Sequence, residues 1–142
     1  TYGDWSSDVC SSDLLEMFIE AKNISVESKI DTKTKMMVNE NLAEILVRNL
    51  LSNAVRYNIQ GGSIMVEYDR NKMTVRNSGE QLEIPAEQIF ERFRKGRLPE
   101  SLGLGLAIVK RICDTCGGSI SYEYNKNMHE FSIVFPEGKI VP

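Results

Sequence analysis

No stretch of these 142 residues approaches the roughly 20 consecutive apolar side chains a bilayer-crossing helix requires, and no secretory leader opens the chain, so a soluble chain is expected. Histidine is almost missing, with His129 alone, and cysteine is scarce, with Cys10, Cys113 and Cys116. Cys113-Asp114-Thr115-Cys116 has the spacing of half a zinc site, but no second pair exists and one histidine cannot complete a four-ligand set. A redox motif of thioredoxin type belongs at a helix start, whereas this one falls at a helix end ahead of Gly117-Gly118. The thiols read as small apolar side chains in a reducing compartment. An excess of positive charge is lacking too: 17 Lys and Arg against 20 Asp and Glu leave a net charge of −3. That argues against nucleic-acid binding through phosphate neutralisation. The lysine-bearing phosphate loop of Walker type is absent, so P-loop chemistry is excluded.

What remains is an ordinary globular composition, 42% hydrophobic and 26% charged, in a length that suits one domain. The first stretch stands apart. Asp4-Trp5-Ser6-Ser7-Asp8-Val9-Cys10-Ser11-Ser12-Asp13-Leu14 is polar and serine-rich, and it resembles one reading frame of a common high-throughput sequencing adapter. Residues 1–14 are therefore expected to be a non-native tail, or else a natural disordered linker with Trp5 as a stray aromatic. The folded domain is expected over residues 15–142, with the natural upstream sequence missing.

The periodicity predicts a short helix over Leu14–Lys22, a half-buried strand over Ile24–Ile30 and a second short strand over Lys35–Val38. Asn39–Tyr57 has apolar residues at helical steps (Leu42, Ile45, Leu46, Leu50, Tyr57), with Asn39 as N-cap. Ser63–Tyr68 and Lys72–Asn77 alternate as strands. A short helix is expected over Pro85–Phe93, and a basic irregular loop over Arg94–Ser101. Gly103-Leu104-Gly105 then leads a helix over Leu106–Cys116, stopped by Gly117-Gly118. Ile120–Tyr124 and Met128–Phe135 make a final hairpin.

Three amides break the apolar pattern. Asn49 and Asn53 share the stripe with Leu42, Leu46 and Leu50, one helical turn apart. Asn77 ends the strand on the side of Met73 and Val75. A buried amide without a partner costs about 1–3 kcal/mol, so this arrangement expects something polar in the core, either neighbouring backbone or a ligand. Gly103 and Gly105 ahead of a helix suit a phosphate, with backbone N–H groups and the helix N-terminus facing it, although a tight turn uses the same residues. Arg94, Lys95 and Arg97 lie just upstream, either screening phosphate charge or solvated.

These segments together resemble the catalytic domain of sensor histidine kinases, in order and spacing, from about Leu15 to Phe135. Arg48-Asn49-Leu50-Leu51-Ser52-Asn53-Ala54-Val55-Arg56-Tyr57-Asn58 resembles their N-box. Asn77-Ser78-Gly79 falls at their first glycine box, Ile89-Phe90-Glu91-Arg92-Phe93 is similar to their F-box, and Ser101–Lys110 resembles their second glycine box. The resemblance implies an α+β fold of Bergerat type, a two-layer sandwich with about five mostly antiparallel strands on about three helices. It implies ATP and Mg2+ as cofactors, with the Asn53 amide oxygen on the cation, a hard ligand for a hard ion. Asn49 would support that cluster, Arg56 would contact phosphate, and Tyr57, Asn77 and Gly79 would line the nucleotide site. Gly103, Leu104, Gly105 and Leu106 would flank the phosphates, and Phe90 and Phe93 would anchor a lid beside Arg94 and Lys95.

The implied activity is phosphoryl transfer from Mg-ATP to a histidine on a separate helical dimerisation domain, with a response regulator as the onward partner. That acceptor is not in this chain: His129, in an alternating strand, reads as a structural or surface histidine. The implied setting is cytoplasmic, with no membrane contact by these residues and a membrane-anchored parent. The first glycine box departs from the family, whose aspartate is Asn77 here and whose second glycine is absent, Gln81-Leu82 following instead. An amide still accepts from an exocyclic amine. Related ATPases place a glutamate base where Asn49 stands, so hydrolysis is expected to be poor. The competing expectation is a nucleotide-sensing or partner-binding module without transfer.

Overall fold

The computed structural model describes residues 13–30, 39–82, 89–90 and 100–136. Three helices and five strands follow in the order α1 (Asp13–Ala21), β1 (Ser25–Ile30), α2 (Glu40–Arg56), β2 (Ser63–Asp69), β3 (Lys72–Ser78), α3 (Glu100–Cys116), β4 (Ser119–Asn125) and β5 (Met128–Val134). The sheet runs β1-β2-β3-β5-β4, with β1 parallel to β2 and every other pairing antiparallel. The helices lie on one face, as expected for a two-layer α+β sandwich.

Alternation along the strands decides which face is covered. Ile64, Val66, Met73, Val75, Phe131 and Ile133 point to the helices and are buried. On the opposite face Arg76 reaches both Glu67 and Glu130, tying β2, β3 and β5 together with charge-assisted bonds; their combined effect holds the guanidinium above its usual pKa. Two hairpin turns, Arg70-Asn71 and Lys126-Asn127, place both central residues in the left-handed region. This is the twist-matched geometry that two-residue hairpins prefer, and asparagine tolerates it well.

Both long helices are capped from the sequence. Asn39 Oδ1 accepts from the backbone N–H of Asn41 at 2.8 Å and of Leu42 at 3.4 Å, as an N-cap should. At the far end of α2, the Lys22 ammonium donates to the carbonyls of Val55, Arg56 and Asn58. Helix α3 stops in a Schellman turn: Gly118 N–H bonds Cys113 O, Gly117 N–H bonds Asp114 O, and Gly117 has φ +74°. A side chain there would carry strain, so glycine is required.

Several expectations are corrected. Strand β1 is exposed along most of its length rather than half-buried, because it is a sheet edge that the helices leave largely uncovered. On α2 the buried stripe runs through Ala43, Leu46, Val47, Leu50 and Ala54, while Ile45 is 44% exposed, one step off its centre. Helix α3 begins at Glu100, so Gly103 and Gly105 lie inside it rather than ahead of it, and Glu100 and Ser101 are helical rather than loop. Each interior glycine costs about 1 kcal/mol against alanine, a cost the surrounding helix formers tolerate. Gly105 also has a packing reason to be glycine, given below. The strand expected over Lys35–Val38, most of the helix expected over Pro85–Phe93 and residues 94–99 of the basic loop lie outside the described residues.

Candidate functional site

The expected site residues on α2 converge on α3 at one point. Helices α2 and α3 pack closely enough that a β-carbon on Gly105 would lie 3.2 Å from Asn49 Oδ1 and 3.7–3.8 Å from the Asn53 amide atoms. Both asparagines therefore face Gly105, and the absence of a side chain there leaves room for the Asn49 amide in particular. Asn49 is half-buried and donates through Nδ2 to Ile45 O at 2.7 Å, one turn back along its own helix. Asn53 is buried at 8% exposure, and its Nδ2 has no hydrogen-bond partner among the described residues.

From Asn53 the site opens into a narrow cavity lined by Asn53, Tyr57, Asn77, Leu82, Ile89, His129 and Phe131. The Tyr57 hydroxyl is also buried and, among the described residues, without a partner. Two buried polar atoms without a partner among the described residues, both on side chains that line one cavity, cost about 1–3 kcal/mol each in a finished core, and they make sense where a ligand supplies the partners. Asn77 is buried on the cavity floor at the end of β3. Its Nδ2 donates to Ser78 O at 2.9 Å, so the carboxamide oxygen is the end with which Asn77 can accept from a ligand.

Across the sheet from Asn77 sits His129. Its Nε2 lies 2.9 Å from Glu80 O, which can only accept, so the ring is protonated there. In the neutral ring Nδ1 then accepts from the Tyr122 hydroxyl at 2.6 Å. Burial pushes the imidazole below its ordinary pKa, partly offset by the Glu80 carbonyl, in keeping with the neutral ring these bonds require. Of the structural and surface readings of His129, burial and bonds at both ring nitrogens fit the first, and the ring also lines the cavity, which the sequence did not signal.

Other expected residues sit elsewhere. Arg56 is exposed and lines a separate cavity on the α1 side, with Leu15, Phe18, Lys22, Ser52 and Val55. Phe90 is half-buried, edge-on to Phe131 at 6.0 Å, beside the cavity rather than in its lining. Leu106 is buried in the core and Gly79 threads between Tyr57 O and the His129 ring. Gly103 and Leu104 are helical, while Phe93, Arg94 and Lys95 lie outside the described residues. Leu82, Ile89 and Phe131 line the cavity although no motif singled them out as wall residues. Cys113 and Cys116 are buried and free, the Cys113 thiol pushed up to about 12, chiefly by burial. Among the described residues, no three His, Cys, Asp or Glu side chains gather as a metal cage.

A helix-on-sheet sandwich with amides turned into a cleft beside a glycine-bearing helix is the form of a known ATPase class. The chain belongs to the histidine kinase-, DNA gyrase B-, and HSP90-like ATPases, whose family model matches residues 38–139. Within that family its likeness is to sensor histidine kinase catalytic domains. It is 31% identical over 145 residues to the heme sensor protein HssS of Staphylococcus saprophyticus, an alignment covering 93% of this chain and 32% of that protein. It is 29% identical over 133 residues to the sensor histidine kinase HprS of Escherichia coli, covering 88% of this chain and 29% of that protein. The chain thus spans about a third or less of the length of these relatives. The catalytic domain of histidine kinase ThkA, in a nucleotide-free form, superposes with a TM-score of 0.77 at 27% identity, covering 94% of this chain and 91% of that one. ThkA in complex with its response regulator TrrA matches with a TM-score of 0.73 at 26% identity, covering 94% of this chain and 40% of that one. Among the described residues no helix is long and apolar enough to cross a membrane.

Proposed function

We propose that this chain binds Mg-ATP between α2, α3 and the end of β3, and presents it for phosphoryl transfer to a histidine on a helical dimerisation domain outside these residues. The observation that carries this reading is the pair of buried, unpartnered polar atoms, Asn53 Nδ2 and Tyr57 Oη, on one cavity with Asn77. A narrow slot with mostly apolar walls and a few polar groups suits a flat heteroaromatic ring. The Asn77 oxygen accepts from the exocyclic amine of adenine, and Tyr57 supplies a further hydrogen bond at the same end.

The phosphates lie toward Asn53, Asn49 and Gly105. The two ends of the Asn53 carboxamide divide the work: its nitrogen donates to a phosphate oxygen and its oxygen binds Mg2+. One amide is a sparse protein ligand set, which fits a cation that keeps several waters and is held largely by nucleotide phosphates. Mg2+ supplies neutralisation of the charge that builds on the transferred group, and the chain's residues bind and orient. Asn49 holds no basic site able to take a proton from water, so hydrolysis is slow and the phosphoryl group is kept for the acceptor.

Residues 1–14 contribute nothing to this function, and residues 15–142 form the catalytic unit of a longer kinase. By analogy with the ThkA–TrrA complex, a response regulator is the onward partner. The parent's dimerisation domain precedes this unit, on the cytoplasmic side of the membrane that anchors the parent. Mixing the chain with a cognate dimerisation domain and labelled ATP tests the proposal. Acid-labile, base-stable phosphate on histidine is the expected product. Nucleotide binding with no such product would instead make the chain a sensing module.

A further inference from the structure

The chain that leaves β3 after Ser78 has no strand partner among the described residues, yet it is tied down at successive atoms by the β4–β5 hairpin. Tyr124 donates its hydroxyl to Gly79 O at 2.9 Å, His129 donates Nε2–H to Glu80 O at 2.9 Å, and Gly79 N–H bonds Asn127 O at 3.2 Å. Gly79 is also gripped sterically. A β-carbon there would come within 2.7 Å of Tyr57 O, 2.8 Å of His129 Cδ2 and 2.9 Å of His129 Nε2. The imidazole itself is fixed by Tyr122, whose hydroxyl bonds Nδ1 and whose ring stacks on it at a centroid distance of 5.8 Å. Tyr124 covers its other neighbourhood at 4.8 Å.

Resting on the ATP reading above, we propose that His129, held by Tyr122 and helped by Tyr124, is a positioning residue for base recognition. It pins residues 79–80 and thereby sets where Asn77 presents its carboxamide oxygen. The link is short. Asn77 spends its Nδ2 on Ser78 O, so its side chain moves with the backbone immediately before Gly79. Asn77 and His129 are also direct cross-strand partners whose side chains line the same cavity. A carboxamide misplaced by a fraction of an ångström loses the alignment a hydrogen bond to a base demands. Three side chains that no phosphate would touch therefore govern the base end of the site.

The test uses the full chain with His129→Phe, which keeps an aromatic ring and loses both bonds, and His129→Gln, which retains a donor and an acceptor. Binding of a non-hydrolysable ATP analogue with Mg2+ and of adenosine is measured by calorimetry, at a temperature where circular dichroism shows each variant folded. His129→Phe is expected to weaken both ligands by about tenfold and by the same factor, because the phosphate end is untouched. His129→Gln is expected to stay within about threefold of the parent. Parent-like affinity in folded His129→Phe, or a loss confined to the triphosphate, would overturn the proposal, as would a folded His129→Gln as weak as the Phe variant. Amide hydrogen exchange at Ser78, Gly79 and Glu80 without nucleotide separates this inference from the one beneath it. Faster exchange in His129→Phe and restoration in His129→Gln supports the clamp even if the parent binds no nucleotide, an outcome that would sink the ATP reading alone. Unchanged exchange overturns the clamp.

Discussion

Gly105 on α3 faces Asn49 on α2 so closely that a methyl group in its place would stand 3.2 Å from the Asn49 oxygen. Because Asn53 is the next nearest neighbour, this one glycine controls the gap in which both amides sit. Gly105→Ala removes a helix-interior glycine, worth about 1 kcal/mol, while crowding the end of a half-buried side chain that can turn aside. The melting temperature is therefore expected to hold or rise. Mg-nucleotide affinity is expected to fall by about tenfold, because the added methyl displaces the Asn49 amide and fills the space beside Asn53 into which phosphate and cation would fit. Parallel thermal melts and calorimetric titrations check both halves, and a variant that binds as the parent does would separate the glycine from the site.

Asn53 gives the sharper contrast between stability and function. Its Nδ2 is buried and unpartnered, so the folded state already bears a desolvation cost of about 1–3 kcal/mol. Asn53→Leu replaces that group with an apolar one of similar size, and urea denaturation is expected to show equal or higher stability. The same variant is expected to lose Mg-dependent nucleotide binding by well over about tenfold, since a hydrogen bond to a charged group and a cation ligand both vanish. A large loss of stability would mean that the amide was a satisfied part of the core.

How far the site was legible in the residues follows from the kind of force that places each one. Asn53 and Asn77 were readable because a polar residue on an apolar stripe or strand face is a local pattern, and each came out buried on the cavity. Asn39 as cap and Gly117 as stop were readable for the same reason. Arg56 was not, since a helix's last turn can point toward either neighbouring layer, and its direction depends on where α1 packs. The start of α3 was misplaced because glycine signals a helix boundary locally, whereas here both glycines lie inside the helix and Gly105 sits where α3 approaches the Asn49 side chain. His129 as cavity wall depends on the β3–β5 register, a relation across 52 residues that no local pattern encodes.

Acid should find His129 before the carboxylates. Its ring is buried and neutral between Tyr122 and Glu80 O, flanked by Tyr124, and no carboxylate is among the causes of its shift. With the folded pKa below the ordinary 6.5, the unfolded chain takes up a proton as pH falls past that value while the folded chain does not. Stability from this group is thus fully present above about pH 6.5 and declines below it, with a slope of at most about 1.4 kcal/mol per pH unit. Urea midpoints for the parent and His129→Gln, measured from pH 7.5 down to 5.5, are expected to converge as pH falls. A constant gap would show that the imidazole does not titrate differently in the two states.

Cys113 and Cys116 lie one turn apart on the buried face of α3, and the nucleophile in alkylation is the thiolate. Burial raises both thiols, Cys113 to about 12, so at pH 8 the folded chain presents almost no thiolate at that position and no path for a reagent to reach it. Iodoacetamide is therefore expected to leave both unmodified until the chain opens, at a rate that tracks unfolding as urea is raised. Saturating Mg-ATP would slow labelling further, because a ligand held between α2 and α3 stabilises the folded state by mass action and α3 carries both thiols. Peptide mapping by mass spectrometry resolves each cysteine separately. Rapid labelling of Cys113 in native conditions would require α3 to leave the core without global unfolding, and the nucleotide's effect on that rate would then report local rather than global protection.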